Sequence, residues 1–299
     1  MKRRLVIDTI ASVPQMQALA DGWRRDELRI GLVPTMGFLH AGHLSLVRIA
    51  RRQADRVVVS IFVNPAQFAP GEDFETYPRD HERDLGLLAE EGVDIVFLPD
   101  AAEIYPAGFQ TRVTLEHLPQ HLCGLSRPVF FSGVATVVTK LFHIAKPHLA
   151  VFGEKDYQQL LVIRRMVADM NLDVRIEAGP IVREEDGLAM SSRNAYLSND
   201  ERPAALSLYK ALRQASREVA EGEHRAAIVL GKARERIESM PGTCIDYINI
   251  CDPQSLEDVA TIDRPVRMAL AVKVGRTRLI DNLLLVPPGG EDSKEGVAE

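Results

Sequence analysis

The stretch "LRIGLVPTMGFLHAGHLSLVRIARRQADRVVVSIFV", Leu28 to Val63, decides the fold. "LRIGLVP" (Leu28 to Pro34) reads as a buried strand. From Gly42 to Ala54 the spacing changes. Leu46, Ala50 and Ala54 recur every four residues with Val47 on the same side, the period of an amphipathic helix. "VVVSIFV" (Val57 to Val63) is then a continuous β-branched run, as a strand buried on both faces requires. Strand, helix and strand in so short a span make a βαβ unit.

Outward from this unit the alternation repeats. A polar helix is expected over Asp80 to Glu91, then a strand at "VDIVFLP" (Val93 to Pro99). "GVATVVTKLFHIAK" (Gly133 to Lys146) reads as a helix and "HLAVFG" as the strand after it. "DYQQLLVIRRMVADM" and "VRIEAG" repeat the pair. Such alternation predicts an α/β fold, a Rossmann-like, doubly wound, mostly parallel sheet. After about Pro180 the texture changes. A polar, turn-like stretch, "REEDGLAMSSRN", leads to helices over Asn199 to Glu221 and Arg225 to Met240. The strands "CIDYINI", "VRMALAVKV" and "TRLIDNLLLV" come last, the final two joined by a turn at Gly275. We expect a Rossmann-like domain over 1–180 and a smaller α+β domain over 181–287. The polar end, 288–299, reads as a disordered tail.

Composition narrows the function. The chain has 299 residues, 46% of them hydrophobic, enough for one large domain or two modest ones. With 36 basic and 42 acidic residues the formal charge is −6, which argues against a general nucleic-acid partner. No apolar run approaches a membrane span, and the one near the N-terminus stops at Asp8, too short for a signal-peptide core. Cys123, Cys244 and Cys251 form no C-x-x-C pair and read as small hydrophobes in a reducing compartment, hence the cytoplasm. Cys244 and Cys251 are seven apart, so on one strand they would point to opposite faces.

Between the first strand and its helix stands "TMGFLHAGH", Thr35 to His43. The first βα turn of a parallel sheet opens onto the carboxyl edge, where ligands bind. A helix starting near Gly42 would offer free backbone N–H groups and a positive dipole end, which favours phosphate. Gly37 and Gly42 let the backbone approach a ligand, and His40 and His43 can donate to phosphate oxygens at the same mouth. Neither G-x-x-x-x-G-K-[ST] nor G-x-G-x-x-G is present. Two plain surface histidines are the competing reading. A zinc site is weaker still, because H-E-x-x-H is absent and no third ligand stands nearby.

"MGFLHAGH" resembles the HIGH-type motif of the nucleotidyltransferase superfamily. "FVNPAQF" (Phe62 to Phe68), "GVATVVTKLF", "FGEKDYQQL" (Phe152 to Leu160) and "DGLAMSSRNAYLS" (Asp186 to Ser198) follow in order. Together they resemble the pantoate–β-alanine ligase (pantothenate synthetase) family from about Leu28 to Asn282. The resemblance implies ATP-dependent condensation of (R)-pantoate with β-alanine through an enzyme-bound pantoyl adenylate. It also implies Mg²⁺ held mainly by ATP phosphates, a homodimer, and a C-terminal domain acting as a hinged lid over an ATP- and pantoate-binding domain.

By that resemblance ATP is met by Met36, Gly37, Phe38, Leu39, His40, Ala41, Gly42 and His43. Gly153, Glu154, Lys155 and Asp156 add to it, as do Val182, Met190, Ser191, Ser192 and Arg193. His43, Lys155, Arg193, Ser191 and His40 are the catalytic candidates. Asp156 is also expected to cap the helix that follows it. Gln67 and Gln159, with Asn64 nearby, are placed on pantoate, and Gln67 also meets β-alanine. Amides suit a ligand with one carboxylate and two hydroxyls, since they donate and accept without adding charge. No dedicated metal-ligand cluster is visible, with Asp84 a weak candidate. The chain departs from the family's "GHFRG"-like stretch at "PVFFSG", where Phe130 stands in the usual place of His and Ser132 in that of a charged residue. Two alternatives remain: another carboxylate-adenylating HIGH-type enzyme, and a non-catalytic nucleotide-binding relative.

Overall fold

The computed structural model describes residues 7–290. The tail expected from 288 lies, from residue 291 on, outside the described residues, as do the first six residues of the N-terminal stretch. Along the chain the elements are β1 (Asp8–Ile10), α1 (Val13–Arg25), β2 (Ile30–Thr35), α2 (Ala41–Gln53), β3 (Arg56–Ile61) and α3 (His81–Glu90). Next come β4 (Ile95–Phe97), α4 (Ala101–Ile104), α5 (Cys123–Ser126), α6 (Phe130–Ala145), β5 (Leu149–Gly153), α7 (Tyr157–Asp169) and β6 (Arg175–Gly179). The last are α8 (Arg202–Ala220), α9 (Ala226–Glu238), β7 (Thr243–Cys251), β8 (Val266–Val274) and β9 (Thr277–Leu285). Among the described residues no helix is long and apolar enough to cross a membrane.

The contacts divide the chain into two compact units whose segments interleave. The first holds the residues up to Pro119, Arg127–Val182 and Met190–Ser192. The second holds Gln120–Ser126, Arg183–Ala189 and the residues from Arg193 on.

The first unit is a six-stranded sheet in the order β1-β4-β3-β2-β5-β6, parallel at every pairing. It is the expected doubly wound arrangement, with the order reversing between β2 and β5. The sheet is covered on both faces. Along β3, Val58 joins one apolar cluster while Val57, Val59 and Ile61 join the other. Along β5, Ala150 and Phe152 face one way, Leu149 and Val151 the other. Burying each such Val or Leu contributes roughly 1.5–3 kcal/mol against leaving it exposed. α6 is apolar nearly all round and correspondingly buried, from Phe131 to Ala145.

β2 and β3 pair along their full length, from Ile30 with Arg56 to Thr35 with Ile61. β2 and β5 pair only at Gly31–Leu149 and Leu32–Ala150. Beyond those residues the two strands run on to Thr35 and Gly153 without ladder pairing. The sheet therefore splits toward its carboxyl edge at the point where the strand order reverses, which is where open α/β sheets bind ligands.

In the second unit, β7, β8 and β9 form an antiparallel meander. α8 and α9 cover one face, packing Leu208, Leu212, Val229 and Ile237 into a core with Met268, Leu270 and Val272. Here the reading of the cysteines is corrected. A bulge inserts Asp246 between Ile245 and Tyr247, so Cys244 pairs with Lys273 and Cys251 with Arg267. These partners are an even number of residues apart, so the two cysteines share a face. Cys244 is exposed and Cys251 buried, both as free thiols.

Candidate active site

Three strand ends of the first unit carry many of the polar residues singled out by sequence. Thr35 ends β2, and its hydroxyl donates to the Ser60 carbonyl at 2.8 Å while accepting the Gly37 N–H at 3.2 Å. The chain then turns through two left-handed residues, Gly37 at φ 82° and Phe38 at φ 49°. At Gly37 a side chain is disfavoured twice: by that φ, and because a Cβ would lie 3.0 Å from Ile61 and 3.1 Å from Asp84. Asp84, on α3, has no exposed surface. Its two oxygens accept the N–H groups of Phe38 and Leu39, each at 2.7 Å. Burial pushes the Asp84 carboxyl up from its ordinary range, and these two bonds oppose that rise. Both oxygens of Asp84, which the sequence admitted weakly as a metal ligand, are thus engaged by backbone N–H groups.

His40 is the N-cap of α2, and the two histidines cap it reciprocally. The His40 Nδ1 accepts the Gly42 N–H at 3.2 Å, and the His43 Nδ1 lies 3.4 Å from the His40 backbone N–H. Their rings stand 4.1 Å apart. Not all of the backbone N–H groups expected to be free at this helix start are so. The imidazoles take up the N–H groups of His40 and Gly42. An imidazole whose Nδ1 accepts must, when neutral, carry its proton on Nε2. Each ring thus exchanges a backbone donor for an Nε2–H donor set farther out. Part of His43 is accessible, but protein surrounds its ring closely. This burial, and then the neighbouring His40 and Lys155, hold its pKa well below the ordinary imidazole value. His43 is therefore neutral at pH 7.

Lys155 lies just past β5, in the turn Glu154–Asp156, near enough for its charge to act on His43. Its Nζ is 3.9 Å from Asp156. Asp156 occupies the N-cap position of α7 as expected, but its side chain makes no capping bond. Gln159 is half-buried in the first turn of α7, while Gln158 is buried and donates to the Leu118 carbonyl at 2.8 Å.

The third strand end follows β3. Asn64 and Gln67 are both buried. Asn64 donates to Gln67 Oε1 at 3.2 Å and to the Gly133 carbonyl at 3.1 Å, and accepts from the Tyr105 hydroxyl at 2.8 Å. Gln67 in turn donates to the Met36 sulfur at 3.0 Å, tying this turn to the loop after β2. Gly133 explains its place in "GVATVV": a Cβ there would stand 2.3 Å from the Ala66 carbonyl oxygen. Only glycine lets α6 approach so closely.

The two residues that depart from the family pattern have different environments. Arg127 lies 4.0 Å over the Phe130 ring, grips Glu72 with two bonds of 2.6 Å, and donates to the Gln67 carbonyl at 3.2 Å. Burial alone would raise the Glu72 carboxyl, but Arg127 and the Ala69 N–H hold it below its ordinary range. Phe130 thus supports the arginine that steadies the Gln67 turn. The Ser132 hydroxyl is buried with no hydrogen-bond partner, and nothing in the structure explains it.

Of the later segment, Met190, Ser191 and Ser192 belong to the first unit. Ser192 donates to the Phe38 carbonyl at 3.2 Å, and the Met190 N–H to the Val182 carbonyl at 2.9 Å. Arg193 belongs to the second unit, in the turn Ser192–Tyr196. In that unit Arg183 makes a two-pronged pair with the buried Asp281, at 2.6 and 2.9 Å, and lies 4.1 Å over the Tyr209 ring. Sequence reasoning missed the roles of Asp84 and Arg127, and it missed this pair. For Asp84 a signal existed: it stands four residues before the buried Leu88, on the apolar face of its helix. Among the described residues no group of three or more His, Cys, Asp or Glu could hold a metal ion.

The family model of pantoate-beta-alanine ligase matches residues 8–284. The chain belongs to that family. Pantothenate synthetase from Syntrophobacter fumaroxidans is 56% identical over 278 residues, 93% of this chain and 98% of that one. The crystal structure of pantothenate synthetase from Thermus thermophilus superposes with a TM-score of 0.89 at 45% identity, covering 94% of this chain and all of that one. The pantoate–β-alanine ligase of Francisella tularensis, solved with beta-gamma ATP and β-alanine, gives 0.78 at 35% identity, covering 93% and 97%. The order and spacing of the family's motifs are thus matched by its fold.

Proposed function

We propose that this protein joins (R)-pantoate to β-alanine with ATP, giving pantothenate, AMP and pyrophosphate through an enzyme-bound pantoyl adenylate. The observation that carries this reading is the doubly capped His40–His43 pair at the split between β2 and β5, with Lys155 beside it. Family membership and the Francisella relative's ligands point the same way.

In the first step a pantoate carboxylate oxygen bonds to the α-phosphorus of ATP and pyrophosphate leaves. The carboxylate is already ionised at pH 7, so no general base is required. The obstacle is the meeting of two anions and the charge that builds on the leaving group. Fixed donors and cations answer it. The Nε2–H groups of His40 and His43 donate to phosphate oxygens, and Lys155 adds a positive charge. The Ser191 hydroxyl and the Arg193 fork grip the phosphates from the later segment. Val182 meets the adenine through its backbone. ATP enters as its Mg²⁺ complex, the metal held by phosphates and water. Gln67, Gln159 and Asn64 orient pantoate. In the second step the neutral amine of β-alanine attacks the acyl carbon, the acyl–phosphate C–O bond breaks so that AMP leaves, and the surplus amine proton passes to solvent. The acyl adenylate is activated, so orientation supplies most of the acceleration. The same reading makes the protein a cytoplasmic homodimer and its second unit a lid.

The test is pyrophosphate release from ATP and Mg²⁺, first with pantoate alone and then with β-alanine added. A single-turnover burst that becomes steady turnover with β-alanine is the expected result. ATP binding without release in either case overturns the ligase reading in favour of a non-catalytic relative. Release with a different acid alone points to another adenylating enzyme.

A further inference from the structure

The loop after β2 is an unfavourable piece of backbone. Phe38 holds a φ of 49° directly after Gly37 at 82°, and a left-handed conformation at a bulky residue is costly. Something must over-determine it. Thr35 takes the Gly37 N–H and Ser192 donates to the Phe38 carbonyl. Both are neutral bonds of 3.2 Å. The carboxylate of Asp84 makes the two shortest contacts, 2.7 Å to the N–H groups of Phe38 and Leu39, from a fully buried position. The next residue is His40, whose Nδ1 and backbone N–H form the cap. Arg83, beside Asp84 on α3, lies 5.3 Å over the Phe38 ring and holds it from outside.

We propose that Asp84 is a positioning residue of the ligase reaction: by accepting the Phe38 and Leu39 N–H groups it fixes the left-handed turn from which His40 and His43 present their Nε2–H donors. This rests on the function proposed above. Asp84 touches no substrate and acts through the backbone of the loop. An asparagine there keeps the size but offers one acceptor and a donor that faces an N–H, so one of the two bonds is lost. The turn then relaxes, and a shift on the order of 1 Å at a phosphate donor costs about a hundredfold in rate.

Two readouts test this, one of them independent of activity. The imidazole tautomers of His40 and His43 are read by ¹⁵N NMR in the unliganded wild-type and Asp84→Asn proteins. Single-turnover pyrophosphate release is measured with ATP, Mg²⁺ and pantoate. In the wild type both rings are expected as Nε2–H tautomers. In Asp84→Asn the tautomers are expected to mix and release to slow about a hundredfold, with the pantoate KM within about threefold of wild type. Adding Phe38→Gly, which removes the cost of the left-handed turn, should recover about tenfold of that loss. Wild-type release in Asp84→Asn overturns the proposal, and so does a loss confined to KM with unchanged tautomers. Should Asp84→Asn not fold, amide exchange of wild-type Phe38 and Leu39 decides. Strong protection supports the clamp, and exchange as fast as at exposed loop amides overturns it. Were the wild type itself to release no pyrophosphate, the ligase reading would fail while the tautomers still judged the clamp.

Discussion

The loop between β2 and α2 and the segment Arg183–Ala189 are each tied down by a buried aspartate, but the two aspartates grip different things. Asp84 takes two consecutive backbone N–H groups. Asp281 takes the guanidinium of Arg183, which also donates to the Gly187 carbonyl within its own loop. A carboxylate on main-chain donors fixes the path of the chain whatever the side chains are. A carboxylate on an arginine fixes where a loop lies, and a well-packed apolar pair could replace it at little cost in stability. The contrast separates a device for geometry, next to the candidate site, from a device for cohesion.

Mutations can break this contrast in order of size. His43→Ala and Lys155→Ala are expected to slow single-turnover pyrophosphate release by about 10²–10³-fold each. Their denaturation midpoints should stay near wild type, and near-normal turnover in either would remove its assigned role. Asp281→Ala should do the reverse. It strands Arg183 in a mostly buried site, and should cost about 3–5 kcal/mol in chemical denaturation while the folded fraction keeps its adenylation rate. Gly133→Ala lies between the two. Its Cβ must push the Ala66 carbonyl and so the Gln67 turn, and an increase in pantoate KM on the order of tenfold is expected. Phe130→Ala removes the ring beneath Arg127 and should raise the same KM by about three- to tenfold, the worth of one partly desolvated cation–π contact. The smallest expected effect is a flat line. His43 has a folded pKa below its unfolded value. The unfolded chain therefore takes up the proton first, and the stability held by neutral His43 is lost as pH falls below about 6.5. The release rate should show no inflection between pH 8 and about 6.5. An inflection at the ordinary imidazole pKa would contradict the buried, doubly capped ring.

Much of the first unit was legible because its strands are unambiguous. Val57–Val59 and Leu149–Phe152 are apolar on both faces, and no other element type accounts for such runs punctuated by helical spacing. β1 was not legible. It is three residues long and pairs with β4, far along the chain, so nothing local marks it. The candidate site was legible as residue types, since His40, His43, Lys155 and Gln67 follow strand ends, where a doubly wound sheet binds ligands. Their interactions were not. That His40 and His43 cap one another depends on two rotamers, and that Asp84 faces inward depends on α3 packing beside a loop 45 residues earlier. The bulge at Asp246 was equally hidden, because one inserted residue leaves the alternation of the flanking strand readable on each side.

That inserted residue has a consequence for how the molecule comes to be made. The Asp246 carboxylate accepts from Arg278 at 2.7 Å and from the Ser126 hydroxyl at 3.0 Å. Ser126 reaches the second unit from a short excursion, Gln120–Ser126, that the chain makes long before the rest of that unit. Emerging from the ribosome, this excursion must wait for 120 further residues before Asp246 exists to receive it. The chain then returns at Arg127 to supply α6 to the first unit. The excursion is therefore expected to order only when the second unit forms. A fragment that begins at Arg183 would carry the meander but leave Asp246 without the serine it was folded to hold.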